Sequence, residues 1–126
     1  MISGKDMEVE FIKTSSGKFI VKDFLKSIDM KAHKKILRNL ELLLEGPKAF
    51  FKYSQLMEKM DGYKNYKLYE FKTVYNNIQY RILCCLHNAT LYLVHGFIKK
   101  TRKIATAEIN IAIERIKLYI LTSKSI

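Results

Sequence analysis

Three strand-length stretches follow one another with almost nothing between them: Tyr66 to Val74, Ile78 to His87 and Leu91 to Phe97. Asn76-Asn77 separates the first two, and Asn88-Ala89-Thr90 the second and third. Asparagine tolerates positive φ better than most residues, so both gaps read as tight turns. Strands joined by such short turns must lie side by side and antiparallel. The rest of the chain has to pack on that meander.

Upstream, Met7 to Lys13 alternates apolar and charged residues and reads as a first strand. Ser15-Ser16-Gly17 is a turn. Val21, Phe24, Leu25 and Ile28 recur at helical spacing within Phe19 to Ile28. Asp29 is placed to cap a second helix from Lys31 to Glu45, whose apolar stripe is Ala32, Ile36, Leu40 and Leu43/Leu44. Gly46-Pro47 ends it, completing a helical hairpin. Ala49 to Asn65 is read as a loop with about one helical turn, and Ala105 to Leu121 as a closing helix. The expected fold is α+β: an N-terminal strand and helical hairpin, a mainly antiparallel twisted sheet of about four strands, and a C-terminal helix. With 126 residues and no linker or repeat, the chain reads as one domain spanning 1–126.

Charge narrows the function classes. Twenty-three Lys and Arg stand against twelve Asp and Glu, a net charge of +11. Between Glu70 and Glu108 there is no acidic residue, while Lys72, Arg81, Lys99, Lys100, Arg102 and Lys103 all fall there. An anionic partner is expected, nucleic acid first. No apolar run approaches membrane-spanning length and no secretory leader is visible, so the expected setting is cytoplasmic, with no membrane partner. Cys84 and Cys85 are neighbours in a strand and point to opposite faces, so two reduced thiols are expected. The spacing of His33, His87 and His95 suggests no metal site. Nothing points to a cofactor, and there is no glycine-rich phosphate loop or serine–histidine–aspartate logic.

A two-residue turn at Asn76-Asn77 pairs Tyr75 with Ile78, Val74 with Gln79, Thr73 with Tyr80, and Lys72 with Arg81. Two cations directly across a strand pair repel unless an anion sits near them. Glu70 shares the face of Lys72 and would neutralise the pair in part, and a phosphate would do so better. The third strand ends in His95-Gly96-Phe97-Ile98-Lys99-Lys100-Thr101-Arg102-Lys103, a basic run before the last helix that suits a phosphate backbone. Taken singly, either feature is equally the solvated surface of a lysine-rich protein. Whether His95 shares the face of Arg81 depends on the length of the Asn88 to Thr90 turn. Strand histidines are more often packed than catalytic.

Leu68-Tyr69-Glu70-Phe71-Lys72, Gln79-Tyr80-Arg81-Ile82-Leu83 and Leu93-Val94-His95-Gly96-Phe97-Ile98-Lys99-Lys100-Thr101, in this order and spacing, resemble the phage-derived HigB-like branch of the RelE/ParE toxin superfamily. Ser16-Gly17-Lys18 and Asp23-Phe24-Leu25 resemble its opening strand, turn and helix, so the likeness runs from Met7 to Tyr119. It implies a RelE-like fold and the toxin of a type II toxin–antitoxin system. Such a toxin is a ribosome-dependent mRNA endoribonuclease that works without a metal, by attack of a ribose 2′-hydroxyl on the adjacent phosphate. Its implied partners are mRNA on the ribosome and a helix-turn-helix, HigA-like antitoxin.

Carried over by position, the resemblance makes Lys72, Arg81, Lys99 and Lys100 the catalytic set. Arg81 would stabilise transition-state charge, Lys72 would act as base or second clamp, and Lys99 and Lys100 would grip the backbone or supply the acid. Tyr80 and Phe97 would stack on bases, Arg102 and Lys103 would bind RNA, and Glu70 and His95 are further candidates. Three departures stand out. Many relatives have arginine at the position of Lys72, which gives up bidentate phosphate contact. Ile104-Ala105 replaces the usual Thr-Pro, so the last helix can begin later, at Thr106. Residues 1–6 precede the usual start and read as an extension or a cloning remnant. Two rivals remain: a ParE-like DNA gyrase inhibitor on the same fold, and a non-catalytic basic module that binds RNA or the ribosome.

Overall fold

The computed structural model describes residues 2–3, 7–46 and 48–121, with backbone alone at 2, 3, 50, 51 and 64. Strands β1 (Ile2–Ser3) and β2 (Glu8–Phe11) come first, then helices α1 (Ile20–Ser27), α2 (Met30–Leu42) and α3 (Lys48–Lys52). Strands β3 (Met57–Lys59), β4 (Leu68–Tyr75), β5 (Ile78–His87) and β6 (Thr90–Lys99) follow, and α4 (Thr106–Ile116) closes the fold with a π-helical end at Lys117–Leu121.

The α+β expectation holds, and the sheet is larger than expected. Six strands run in the order β1-β2-β6-β5-β4-β3. The meander β4-β5-β6 is antiparallel, and β2 joins β6 in parallel. The additional strands are the two short edges. β3 arises within the segment read as loop, where Met57 faces Phe71 in the pairing with β4 and is buried. β1 pairs Ile2 with Val9, so part of the 1–6 segment belongs to the sheet; Met1 and residues 4–6 lie outside the described residues.

Both meander turns place two residues at positive φ: Asn76 and Asn77 (51° and 63°), and Asn88 and Ala89 (49° and 62°). Such two-residue turns match the right-handed strand twist. The Lys72–Arg81 register is the expected one. Asp29 caps α2 by accepting from the Lys31 and Ala32 amides at 2.8 and 3.1 Å. α2 ends earlier than expected, with Leu43–Glu45 tightening into a 3-10 turn before Gly46 at φ 99°; Pro47 lies outside the described residues.

The sheet has a core on each face. On one side α1 and α2 bury Val21, Leu25, Ala32, Ile36 and Leu40 against Phe71, Tyr80, Ile82, Cys84 and Leu93. On the other, α4 buries Ile109, Ala112 and Ile116 against Leu68, Leu83, Cys85, Tyr92 and Val94. Cys84 and Cys85 thus enter different cores as free thiols. Burial pushes the Cys84 thiol well up and the Cys85 thiol to about 11.

Candidate nucleic-acid interface

One irregularity in β6 decides what the α4 face of the sheet carries. Below it Cys84 pairs with Leu93, and above it Leu83 pairs with His95, leaving Val94 as an extra residue. This bulge shifts the register by one, so Phe97 lies opposite Arg81 and Lys99 opposite Gln79. Cross-strand partners share a face, so Arg81, His95, Phe97 and Lys99 all point to the α4 side. Without the bulge, Gly96 would stand opposite Arg81, and the three β6 side chains would face α1. The sequence offers no sign of the extra residue.

Arg81 is buried and held at three points. Its Nε donates to Glu70 Oε2 at 2.9 Å, Nη2 to Gln79 Oε1 at 2.8 Å, and Nη1 to the Tyr80 carbonyl at 3.1 Å. Lys99 Nζ lies 3.9 Å from the same Glu70 oxygen. Glu70 is itself buried, so the carboxylate works as an internal counter-ion shared by two cations. Lys72 turns away to Glu58, with Nζ 3.6 Å from Oε2. The Lys72–Arg81 repulsion is therefore relieved by two protein carboxylates, one of them on β3, a strand the sequence did not reveal.

Beyond β6, Lys100, Arg102 and Lys103 are exposed, and none makes an ion pair among the described residues. Phe97, Lys99, Lys100, Lys103 and Glu108 help line a shallow cleft of about 170 Å³ beside the start of α4. α4 begins at Thr106, with Ala105 as an N-cap that offers no side-chain acceptor.

His95 is enclosed in a network of its own. Arg115 Nη1 lies 3.1 Å from Nδ1, and Glu108 Oε1 lies 3.2 Å from Nε2. Guanidinium only donates, so Nδ1 accepts and Nε2 carries the proton that Glu108 receives. Arg115 also donates to the Val94 carbonyl at 3.0 Å, tying α4 to the bulge. Burial holds the His95 pKa below its ordinary 6.5, with the Glu108 hydrogen bond opposing and the Arg115 charge assisting. The His95 ring stacks on Phe97 at 5.4 Å.

The face thus gathers Glu70, Lys72, Arg81, His95, Phe97 and Lys99, with Lys100, Arg102 and Lys103 on the loop that follows. Tyr80 is the exception. Strand alternation turns it to the opposite face, where it is 3% exposed in the α1–α2 core, so it cannot stack on a base beside Arg81. Phe97 is 9% exposed and engaged with His95, leaving only its margin open. Sequence reasoning missed Gln79, Glu58, Glu108 and Arg115. Of these, Gln79 alone had a signal, standing two residues from Arg81 on the same strand face.

Among the described residues no three His, Cys, Asp or Glu side chains cluster as a metal site, and no helix is long and apolar enough to cross a membrane. A two-faced sheet with a buried arginine and a basic strand end on one side defines a small α+β protein with a cationic surface. Residues 23–117 match the family described as Phage derived protein Gp49-like (DUF891). The chain belongs to this family, which is RelE-like. No curated protein and no solved structure matches it at a significant level.

Proposed function

We propose that this protein is the toxin of a type II toxin–antitoxin pair, of the HigB-like branch, and that it cleaves mRNA on the ribosome in the cytoplasm. The observation that carries this reading is the sheet face on which Lys72, Arg81, Phe97 and Lys99 converge beside the exposed cations Lys100, Arg102 and Lys103. Membership of the Gp49-like family supports it.

The reaction needs no group beyond these side chains and the RNA. The 2′-hydroxyl loses its proton to a base and attacks the neighbouring phosphorus. The P–O5′ bond breaks, and an acid protonates the leaving 5′-oxygen, giving a cyclic phosphate and a free 5′-hydroxyl. Cations close to the non-bridging oxygens stabilise the crowded phosphorane. Lys72 and Lys99 keep partial access to solvent, with side chains 24% and 18% exposed. They are better placed than Arg81 to reach the phosphate. Arg81, fixed by Glu70, Gln79 and a backbone carbonyl, contributes a positioned charge from beneath. Lys100 and its neighbours hold the flanking backbone. A HigA-like antitoxin is the proposed protein partner.

Inducing the chain in a bacterium and mapping the 5′ ends of a translated reporter by primer extension tests the reading. New ends confined to the translated region, lost in Lys72→Ala and in Lys99→Ala/Lys100→Ala, are expected. Growth arrest with intact mRNA and cleaved gyrase–DNA complexes would replace it with gyrase poisoning. RNA binding without cleavage would leave a binding module.

A further inference from the structure

The opposite face of the sheet carries a second open surface. A groove of about 470 Å³ runs between α2 and the end of β4, lined by Lys31, Lys34, Leu37, Arg38 and Tyr75. Lys35 donates from Nζ to the Val74 carbonyl at 2.6 Å, which fixes α2 against the strand end. Lys31, Lys34 and Arg38 are exposed and make no ion pair among the described residues. Among the described residues no acidic side chain lines the groove; Glu41 follows only further along the helix.

The apolar floor extends past the groove. Ile78 lies directly across from Tyr75, and Ile98 is paired with Tyr80 on the next strand. Both side chains share the α1–α2 face by strand alternation, and they are 38% and 41% exposed. Leu37, Tyr75, Ile78 and Ile98 thus form an open apolar strip, with Lys31, Lys34 and Arg38 along its helix side.

We propose that this strip and groove dock an acidic, amphipathic segment of a protein partner, its aliphatic side chains on the strip and its carboxylates on Lys31, Lys34 and Arg38. Charge complementarity supplies the sign of the partner, and the aliphatic floor supplies its class. Single-stranded RNA needs planar faces on which to stack its bases, and here Tyr75 alone offers one. A phosphate backbone also prefers cations along a continuous track, whereas the three cations lining the groove all stand on α2. An amphipathic segment uses both halves of the surface at once. Such a partner would leave the Arg81 face uncovered. The inference stands apart from the cleavage reading, because none of Lys31, Lys34, Leu37, Arg38 and Tyr75 lines the cleft beside α4.

Selection of a phage-displayed library of random 16-residue peptides on the immobilised full chain tests it. Enriched sequences are expected to carry a surplus of Asp and Glu with aliphatic residues at regular spacing. The best peptide, synthesised and measured by fluorescence anisotropy, should bind Lys34→Glu/Arg38→Glu at least about tenfold more weakly, a loss of about 1.4 kcal/mol. Ile78→Asp should weaken it as well, and Lys99→Ala/Lys100→Ala should not. Equal melting temperatures would show that the variants keep their fold. Enrichment of neutral or basic peptides, no enrichment, or unchanged affinity in the groove variants would overturn the proposal. So would loss of oligouridylate binding in Lys34→Glu/Arg38→Glu with peptide binding intact, which would make RNA the occupant.

Discussion

Thr73 is a buried hydroxyl facing Tyr80 across the β4–β5 pair, and its Oγ1 finds no hydrogen-bond partner among the described residues. Such a group forfeits its hydration without compensation. Thr73→Val keeps the shape and removes the orphan, so it should raise stability by about 1 kcal/mol in urea unfolding. His95 makes the opposite kind of demand. Its Nδ1 accepts from Arg115 only while the ring is neutral; a second ring proton would set two donors against each other. The folded pKa lies below 6.5, so the unfolded chain takes up the proton first as pH falls. The His95 contribution is therefore full above about pH 6.5 and lost as pH drops below it. His95→Gln retains one acceptor and one donor. It should fold and flatten this part of the pH profile of thermal stability.

Among the elements, β6 carries the most obligations, and Gly96 is the tightest point. A Cβ at this position would enter the Phe24 ring of α1, since the ring atoms Cε2 and Cγ would lie 2.8 Å from it. Gly96→Ala should cost about 1–3 kcal/mol by forcing that ring aside, and Phe24→Leu in the same chain should recover part of the loss. Denaturation midpoints of the single and double variants would check this. Much of this level was legible beforehand. Paired asparagines announced the turns and so the Lys72–Arg81 register, and Asp29 with the Ala32/Ile36/Leu40 stripe announced α2. β3 was not legible, because three residues with one buried side chain leave no periodicity to read. The bulge was not legible either, because Val94 is as strand-like as its neighbours and only the pairing of whole strands shows one residue to be surplus. That single residue placed His95, Phe97 and Lys99 on the face of Arg81. The candidate site could be assembled in sequence by resemblance, but its geometry could not, and the stacking role given to Tyr80 fails because the side chain is buried on the other face.

For the whole molecule, the cations of the groove and of the cleft beside α4 stand on two faces that the sheet keeps apart. RNA held on the Arg81 face should show log affinity falling linearly with log salt, with Lys100→Ala reducing the slope by about 0.7 for a single strand. Fluorescence anisotropy of a labelled oligouridylate across a salt series reads this directly. A slope unchanged by Lys100→Ala would remove that side chain from the contact.

The parallel pairing of β2 with β6 has a consequence for how the molecule is made. Glu8 meets Thr90 and Phe11 meets Leu93, so β2 finds its interior neighbour only after everything from α1 to β5 has been made. Loop closure over such a span is slow, and until then Val9 and Phe11 have no sheet to cover them. The cationic face draws on β4, β5 and the far end of β6, which is later still. A nascent or prematurely ended chain is thus an exposed client for chaperones and carries no assembled cationic surface.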